Sequence, residues 1–127
     1  MTRSPLALVG VAVAAWASIP PYVGPALATD PVVEVVDHVV PAVVVLAVSL
    51  AALAAGARAR GTAMFGAGLV VALAGLWMVA THVPLLAQAA RDEAPWVASL
   101  WHFVPGVAVV ALGAVWALRW STDTSAE

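Results

Sequence analysis

The sequence predicts an all-α integral membrane protein, a polytopic bundle of four transmembrane helices built as two tandem helical hairpins. Two observations lead to this fold class. Of the 127 residues, 64% are hydrophobic and only 9% are charged, whereas a soluble domain carries about 25% charged residues. The apolar residues also fall into long runs without strand-like alternation, and such runs are typical of transmembrane helices.

Four apolar segments can be drawn, each nearly long enough as a helix to cross about 30 Å of hydrocarbon. They lie at about residues 6–23, 31–56, 62–88 and 95–119. The "IPPYVGP" stretch should end the first helix, because a residue before proline disfavours helical geometry. Five glycines should let the helices approach closely: Gly66, Gly68, Gly75, Gly106 and Gly113.

The connections carry helix-boundary signals. "TDPVV" offers Thr29 or Asp30 as an N-cap before Pro31, and proline is favoured at the first helical position. "RDEAPW" predicts the same arrangement with Asp92 or Glu93 as the cap. The "GARARGT" turn is bounded by two glycines that we expect to terminate helices. The tail at 121–127 is polar and is predicted to fray.

The arginines predict the orientation. Four of the five, at positions 3, 58, 60 and 119, fall on one side of the four-span scheme, and Arg91 falls on the other. The positive-inside rule then predicts a multi-pass protein of the plasma membrane with both termini in the cytoplasm. Trp116 and Trp120 should flank the inner interface as part of an aromatic belt.

The remaining composition excludes several classes. There is no cysteine, so disulfides and thiolate metal sites are ruled out. The net charge is −2, and no segment is basic enough to indicate a nucleic-acid partner. "PALAT" imitates a signal-peptide cleavage site, but cleavage there would remove half of one copy of the internal repeat described next.

The chain predicts a single membrane domain over 1–127 made of two copies of one unit, at about 5–57 and 62–120. "HVVPAVVVLA" at 38–47 and "HFVPGVAVVA" at 102–111 match at an offset of 64 residues. Pro31 and Pro95 match at the same offset. Because each unit has two spans, both copies would have the same orientation in the membrane.

Each unit resembles the SPW repeat of small bacterial and archaeal integral membrane proteins. "AAWASIPPYVG" and "GLWMVATHVPLL" carry the first part of the motif, and "DPVVEVVDHVVPAVVVLAVS" and "APWVASLWHFVPGVAVVALG" carry the second. The resemblance implies two helices per unit and a membrane location. It implies no particular biochemical activity.

Three histidines are the candidate functional residues. His38, His82 and His102 should lie at similar depth on the outer side of the bundle, where ionisable groups are costly and often functional. Three imidazoles meeting there would form a ligand set for zinc or copper. Asp37 could orient one of the rings without binding the metal itself.

A structural interpretation is also open. His38 and His102 each precede a proline by three residues, at positions 41 and 105. These prolines cannot donate to the carbonyls of Asp37 and Trp101, so each imidazole would hydrogen-bond a freed carbonyl at a solvated kink. A pH-dependent switch is a third alternative.

The sequence shows no nucleophile–base pair, phosphate loop or pair of buried carboxylates, so we expect no enzymatic activity and no resident cofactor. The expected role is a structural, accessory or assembly component whose partners are lipid and a second copy or another membrane protein. The alternative is a metal- or haem-binding membrane protein that uses the histidines. A solute conduit has little support, because Ser49 is almost the only polar residue at a helix centre.

Overall fold

The computed structural model describes residues 4–20, 22–24, 30–58 and 61–121. Within these ranges the chain is helical and contains no strand, which confirms the all-α class. The helices are α1 (Ser4–Ala17), α2 (Pro31–Ala55), α3 (Gly61–Ala90) and α4 (Trp96–Ser121). A short 3-10 turn, Gly56–Arg58, follows α2.

Helices α2, α3 and α4 are each long and apolar enough to cross a membrane. Large apolar side chains cover their outer faces, and Leu73, Val97 and Leu118 are 63%, 70% and 66% exposed. Such faces are unfavourable in water and compatible with lipid. The length of the helices and this surface both support the class of integral membrane protein.

Helix α1 is shorter than the predicted first segment. It has 14 residues and ends at Ala17, so it is about 21 Å long, against a hydrocarbon core of about 30 Å. The chain turns at residues 18–20, where the amide of Ile19 bonds to the carbonyl of Trp16. Pro20 explains the early stop, because the residue before a proline leaves helical geometry.

The four helices form an antiparallel ring. Helix α1 packs on α2 and α4, and α3 packs on the same two helices from the other side. Gly68 of α3 faces Ala117 of α4, and Gly75 faces Val110. Later residues of α3 thus face earlier residues of α4, so the two helices are antiparallel. The ends of α2 and α4 therefore share one end of the bundle with the start of α3.

Helices α3 and α4 make the closest contact, and glycine permits it. A Cβ added at Gly68, Gly75 or Gly113 would overlap backbone atoms of the facing helix, and one at Gly106 would lie 2.9 Å from the Cβ of Met78. The predicted close approach is therefore confirmed at these four glycines. It is wrong at Gly66, where nothing lies within 4 Å of an added Cβ.

The helix boundaries follow local chemistry. Asp30 caps α2 by accepting a 2.7 Å hydrogen bond from the amide of Val32, and Pro31 is the first helical residue, as predicted. Gly56 ends α2 with a φ of +51°, also as predicted. Gly61, expected to terminate a helix, instead begins α3.

The predicted cap before α4 is wrong. Asp92 has a φ of +58°, and its amide bonds to the carbonyl of Ala89, so it belongs to the end of α3. Asp tolerates this left-handed conformation better than most residues. The carbonyl of Pro95 instead accepts the first bonds of α4, from the amide and the hydroxyl of Ser99.

The core lies along the bundle axis and is built from alanine, valine, methionine, one leucine and one tryptophan. Trp116 is fully buried within it, so its predicted place in an interfacial belt is wrong. Its position on α4 faces α1 at Gly10, which leaves room for the indole. The side chain of Trp120, the "PALAT" alanines and the tail after Ser121 lie outside the described residues.

Candidate metal centre

The three histidines meet in the interior of the bundle. His38, His82 and His102 come from α2, α3 and α4, and none is more than 3% exposed. The ring centroid of His38 lies 4.5 Å from that of His82 and 5.3 Å from that of His102. The ring centroids of His82 and His102 are 6.2 Å apart. The expected convergence of the three imidazoles is therefore confirmed.

Two of the rings are held by the backbone. Nδ1 of His102 lies 2.9 Å from the carbonyl oxygen of Ala98, and Nδ1 of His82 lies 2.6 Å from that of Met78. A carbonyl only accepts, so Nδ1 must carry the proton in both bonds. In a neutral imidazole the other nitrogen, Nε2, then has a lone pair available for an ion.

These bonds differ from the predicted kink. The carbonyls freed by the prolines at 41 and 105 are those of Asp37 and Trp101, but the bonded carbonyls of Ala98 and Met78 lie four residues before their own histidines. Helical side chains point towards the N-terminus, so a histidine reaches its own preceding turn. The rings are also buried, so they do not face solvent as that interpretation predicts.

Glu34 joins the cluster from α2. Its Oε2 lies 3.7 Å from Nε2 of His38 and 3.7 Å from Nε2 of His102, and its side chain is only 12% exposed. Ligand atoms of these three residues all lie within 4.8 Å of one another. The site predicted from the sequence does not include Glu34. The Glu-x-x-x-His spacing at 34–38 was the available signal, since such residues share a helix face.

A π-helical turn shapes this part of α2. Residues Val35–Val39 are π-helical, and the amide of Val40 bonds to the carbonyl of Val35 five residues earlier. Pro41 has no amide proton for an α-helical bond to Asp37, which favours the irregular turn. Single π turns within α-helices occur frequently at functional sites.

His38 has no partner comparable to those of the other two rings. Neither of its ring nitrogens makes a hydrogen bond of good geometry within the described residues. The carbonyl of Ala17, at the end of α1, also interacts with the ring. A buried imidazole without a good hydrogen bond lowers the stability of the fold by roughly 1–3 kcal/mol. An ion bound to its nitrogen would offset that loss.

Asp37 lies beside the cluster rather than in it. Its carboxylate interacts with His82, Glu34 and the indole N–H of Trp77. The hydrogen bonds that orient His82 and His102 come from backbone carbonyls, so the prediction that Asp37 orients a ring has no hydrogen bond to support it among the described residues.

The geometry suits one small cation. Zinc lies about 2.0–2.2 Å from nitrogen and oxygen ligands, so two ligands at a tetrahedral angle are about 3.3 Å apart by that geometry. The two 3.7 Å separations from Glu34 are slightly longer, and a small side-chain rotation would close them. The distances are too long for hydrogen bonds. The arrangement of these three residues is compatible with a metal site.

Comparison with known proteins does not assign the chain to a family. The chain matches no family model, no curated protein and no solved structure. The resemblance to SPW repeats therefore stays a prediction.

Proposed function

We propose that this chain is an integral membrane protein that binds one divalent transition-metal ion, with Glu34, His38 and His102 as ligands. The observation that supports this proposal is the convergence of two buried imidazoles and one carboxylate, whose ligand atoms lie within 4.8 Å of one another. Two imidazoles and a carboxylate suit Zn²⁺, Fe²⁺ and related ions, whereas Cu⁺ prefers sulfur ligands.

The ion would connect two helices. Glu34 and His38 belong to α2 and His102 belongs to α4, so one ion would cross-link opposite helices of the ring. The proposed role is stabilising and non-enzymatic. A wider role as an accessory or assembly component, acting with a second copy or another membrane protein, stays a prediction.

Haem fits this cluster less well than an ion does. The three rings are in edge or stacked contact, with centroids 4.5–6.2 Å apart. A flat macrocycle would have to separate rings that already pack against one another. A single ion needs only their nitrogen atoms to converge.

Metal loading of the purified chain tests the proposal. After chelation in mild detergent, we expect the wild type to take up one Co²⁺ per chain with visible absorption bands of a low-coordinate site, and to show no Soret band. Glu34→Gln should weaken Co²⁺ binding at least tenfold, because it removes an anionic ligand. Glu93→Gln is the matched control, since Glu93 is exposed and pairs with Arg91. A wild type that binds no Co²⁺ would refute the proposal.

We further propose that all four helices lie in the plasma membrane with both termini in the cytoplasm. Arg58 follows α2 and Arg119 lies in the last turn of α4, and these two helices end at the same end of the bundle, whereas Arg91 lies at the opposite end. This distribution follows the positive-inside rule. Because α1 is shorter than the hydrocarbon core, the bilayer would have to become thinner around it for its ends to reach the headgroups.

Cysteine labelling tests the orientation, and the chain has no native cysteine to interfere. Asp30→Cys and Asp92→Cys should react with a membrane-impermeant maleimide on intact cells. Thr62→Cys, exposed at the start of α3, should react only after the cells are opened. Labelling of positions 30 and 92 from opposite sides would contradict the scheme.

A further inference from the structure

The three histidine rings are closed off from solvent. They are at most 3% exposed, so an ion or a reagent reaches them only when part of the surrounding wall moves. Helices α2, α3 and α4 form three sides of that wall, since each contributes one histidine. The fourth side of the ring belongs to α1 and to the residues that follow it.

Helix α1 ends before it reaches the depth of the histidines. Gly10 of α1 packs against Ser49 of α2, and this contact shows how the two helices are aligned. From Gly10, α1 continues outward for about 10 Å to its last residue, Ala17. His38 lies farther out, about 16 Å along α2 from Ser49. The last turn of this side must therefore be supplied by residues beyond α1.

Residues 18–20 and 22–24 lie on this side, and we call them the strap. Pro20 is buried, whereas Val23 is 62% exposed, so the strap has an inner and an outer surface. The indole N–H of Trp101 donates a 2.7 Å hydrogen bond to the carbonyl of Val23. Trp101 directly precedes the histidine of α4. The strap therefore connects the end of α1 to the part of α4 that carries the cluster.

Gly24 allows the indole to lie against the strap. Its φ is +110°, a conformation that favours glycine, and an added Cβ would overlap the indole of Trp101. The amides of Tyr22 and Val23 bond to the carbonyl of Ile19, within the strap itself. Release of the indole would thus let the strap move with its own turn intact. Opening between the long helices would instead separate their packed faces.

We infer that the strap is a gate over the histidine cluster, held closed by the hydrogen bond from Trp101 to Val23, and that metal ions enter and leave when this bond breaks. The inference rests on the proposed metal-binding function, but access to the histidines can also be measured without a metal. Segments held by few contacts open at a lower free-energy cost than the whole fold. Loss of one hydrogen bond should raise the open population about 3- to 10-fold.

Reaction with diethyl pyrocarbonate tests the gate in the metal-free chain. The sequence has three histidines, all in the cluster, so the absorbance change of the full chain, purified in detergent without a histidine tag, reports on this site alone. Trp101→Phe keeps an aromatic ring but removes the hydrogen bond, so the histidines should react about 3- to 10-fold faster than in the wild type. Gly24→Ala should also react faster, because its Cβ displaces the indole while α4 keeps its sequence.

Each variant has a matched control. Trp96→Phe makes the same substitution at a half-exposed tryptophan of α4. Gly56→Ala adds a methyl group at another positive φ, where nothing lies within 4 Å. Both controls should react at the wild-type rate. Wild-type rates in both Trp101→Phe and Gly24→Ala would overturn the inference.

Stopped-flow Co²⁺ kinetics provide the second readout. A gate changes the barrier to entry and exit but not the bound state. Trp101→Phe should therefore raise the association and dissociation rate constants by the same factor and leave the Co²⁺ affinity unchanged. Faster dissociation alone, with weaker affinity, would overturn the inference by making Trp101 a support for His102. A wild type that binds no Co²⁺ would refute the proposed function, and the diethyl pyrocarbonate rates would still decide whether the strap controls access to the histidines.

Discussion

His102→Ala is expected to reduce Co²⁺ affinity by more than about 100-fold, beyond the range for outer-shell changes. The substitution removes a nitrogen that lies 3.7 Å from the Glu34 carboxylate and takes away the only proposed ligand on α4. Without it the ion would be held by α2 alone. Equilibrium titration of Co²⁺ against a competing chelator measures the loss.

His82→Ala is the matched control for this substitution. Both histidines are buried and both donate Nδ1–H to the carbonyl four residues earlier, so the two alanine variants leave similar holes. Only His102 belongs to the converging ligand group. A loss in His82→Ala that equals or exceeds the loss in His102→Ala would show that the ligand set is wrongly assigned.

Gly113→Ala is expected to lower the free energy of unfolding by about 1–3 kcal/mol, the usual cost of overpacking. Its added Cβ would overlap backbone atoms of Ala72 on α3, so the two helices would have to separate. Neither backbone can move aside as a flexible side chain would. Denaturant titration in detergent, followed by circular dichroism, measures the change.

Gly66→Ala provides the comparison. It places the same methyl group in the interior of α3, where nothing lies within 4 Å. Alanine is the better helix former by about 1 kcal/mol in water, so this variant should be as stable as the wild type or more stable. If Gly113→Ala and Gly66→Ala are equally stable, α3 and α4 do not approach each other at Gly113 as closely as the structure shows.

Composition and apolar run length were sufficient to predict the helical class and the positions of the later helices. Lipid requires the backbone to bond to itself, so long apolar runs without strand-like alternation indicate helices. The end of α1 could be placed only approximately, because "IPPYVGP" contains several positions where a helix can stop. The role of Asp92 was missed because a single acidic residue can serve either the end of one helix or the start of the next.

The candidate site was predictable in part. The three histidines were predicted to lie close together because they occupy similar depths on three helices. The structure confirms that their rings are in contact. Glu34 was missed because a carboxylate four residues into a span is expected to face the headgroups. A π turn begins at the residue after it, and a local irregularity of this kind leaves only a weak trace in residue spacing.

The π turn in α2 also has a geometric consequence for the proposed ligand Glu34. The turn amounts to one extra residue in a helix, and one residue corresponds to about 100° of rotation around a helical axis. Removing one residue from this turn would rotate Glu34 by about that angle relative to Val40–Ala55. The direction in which Glu34 points is therefore sensitive to the length of this one turn.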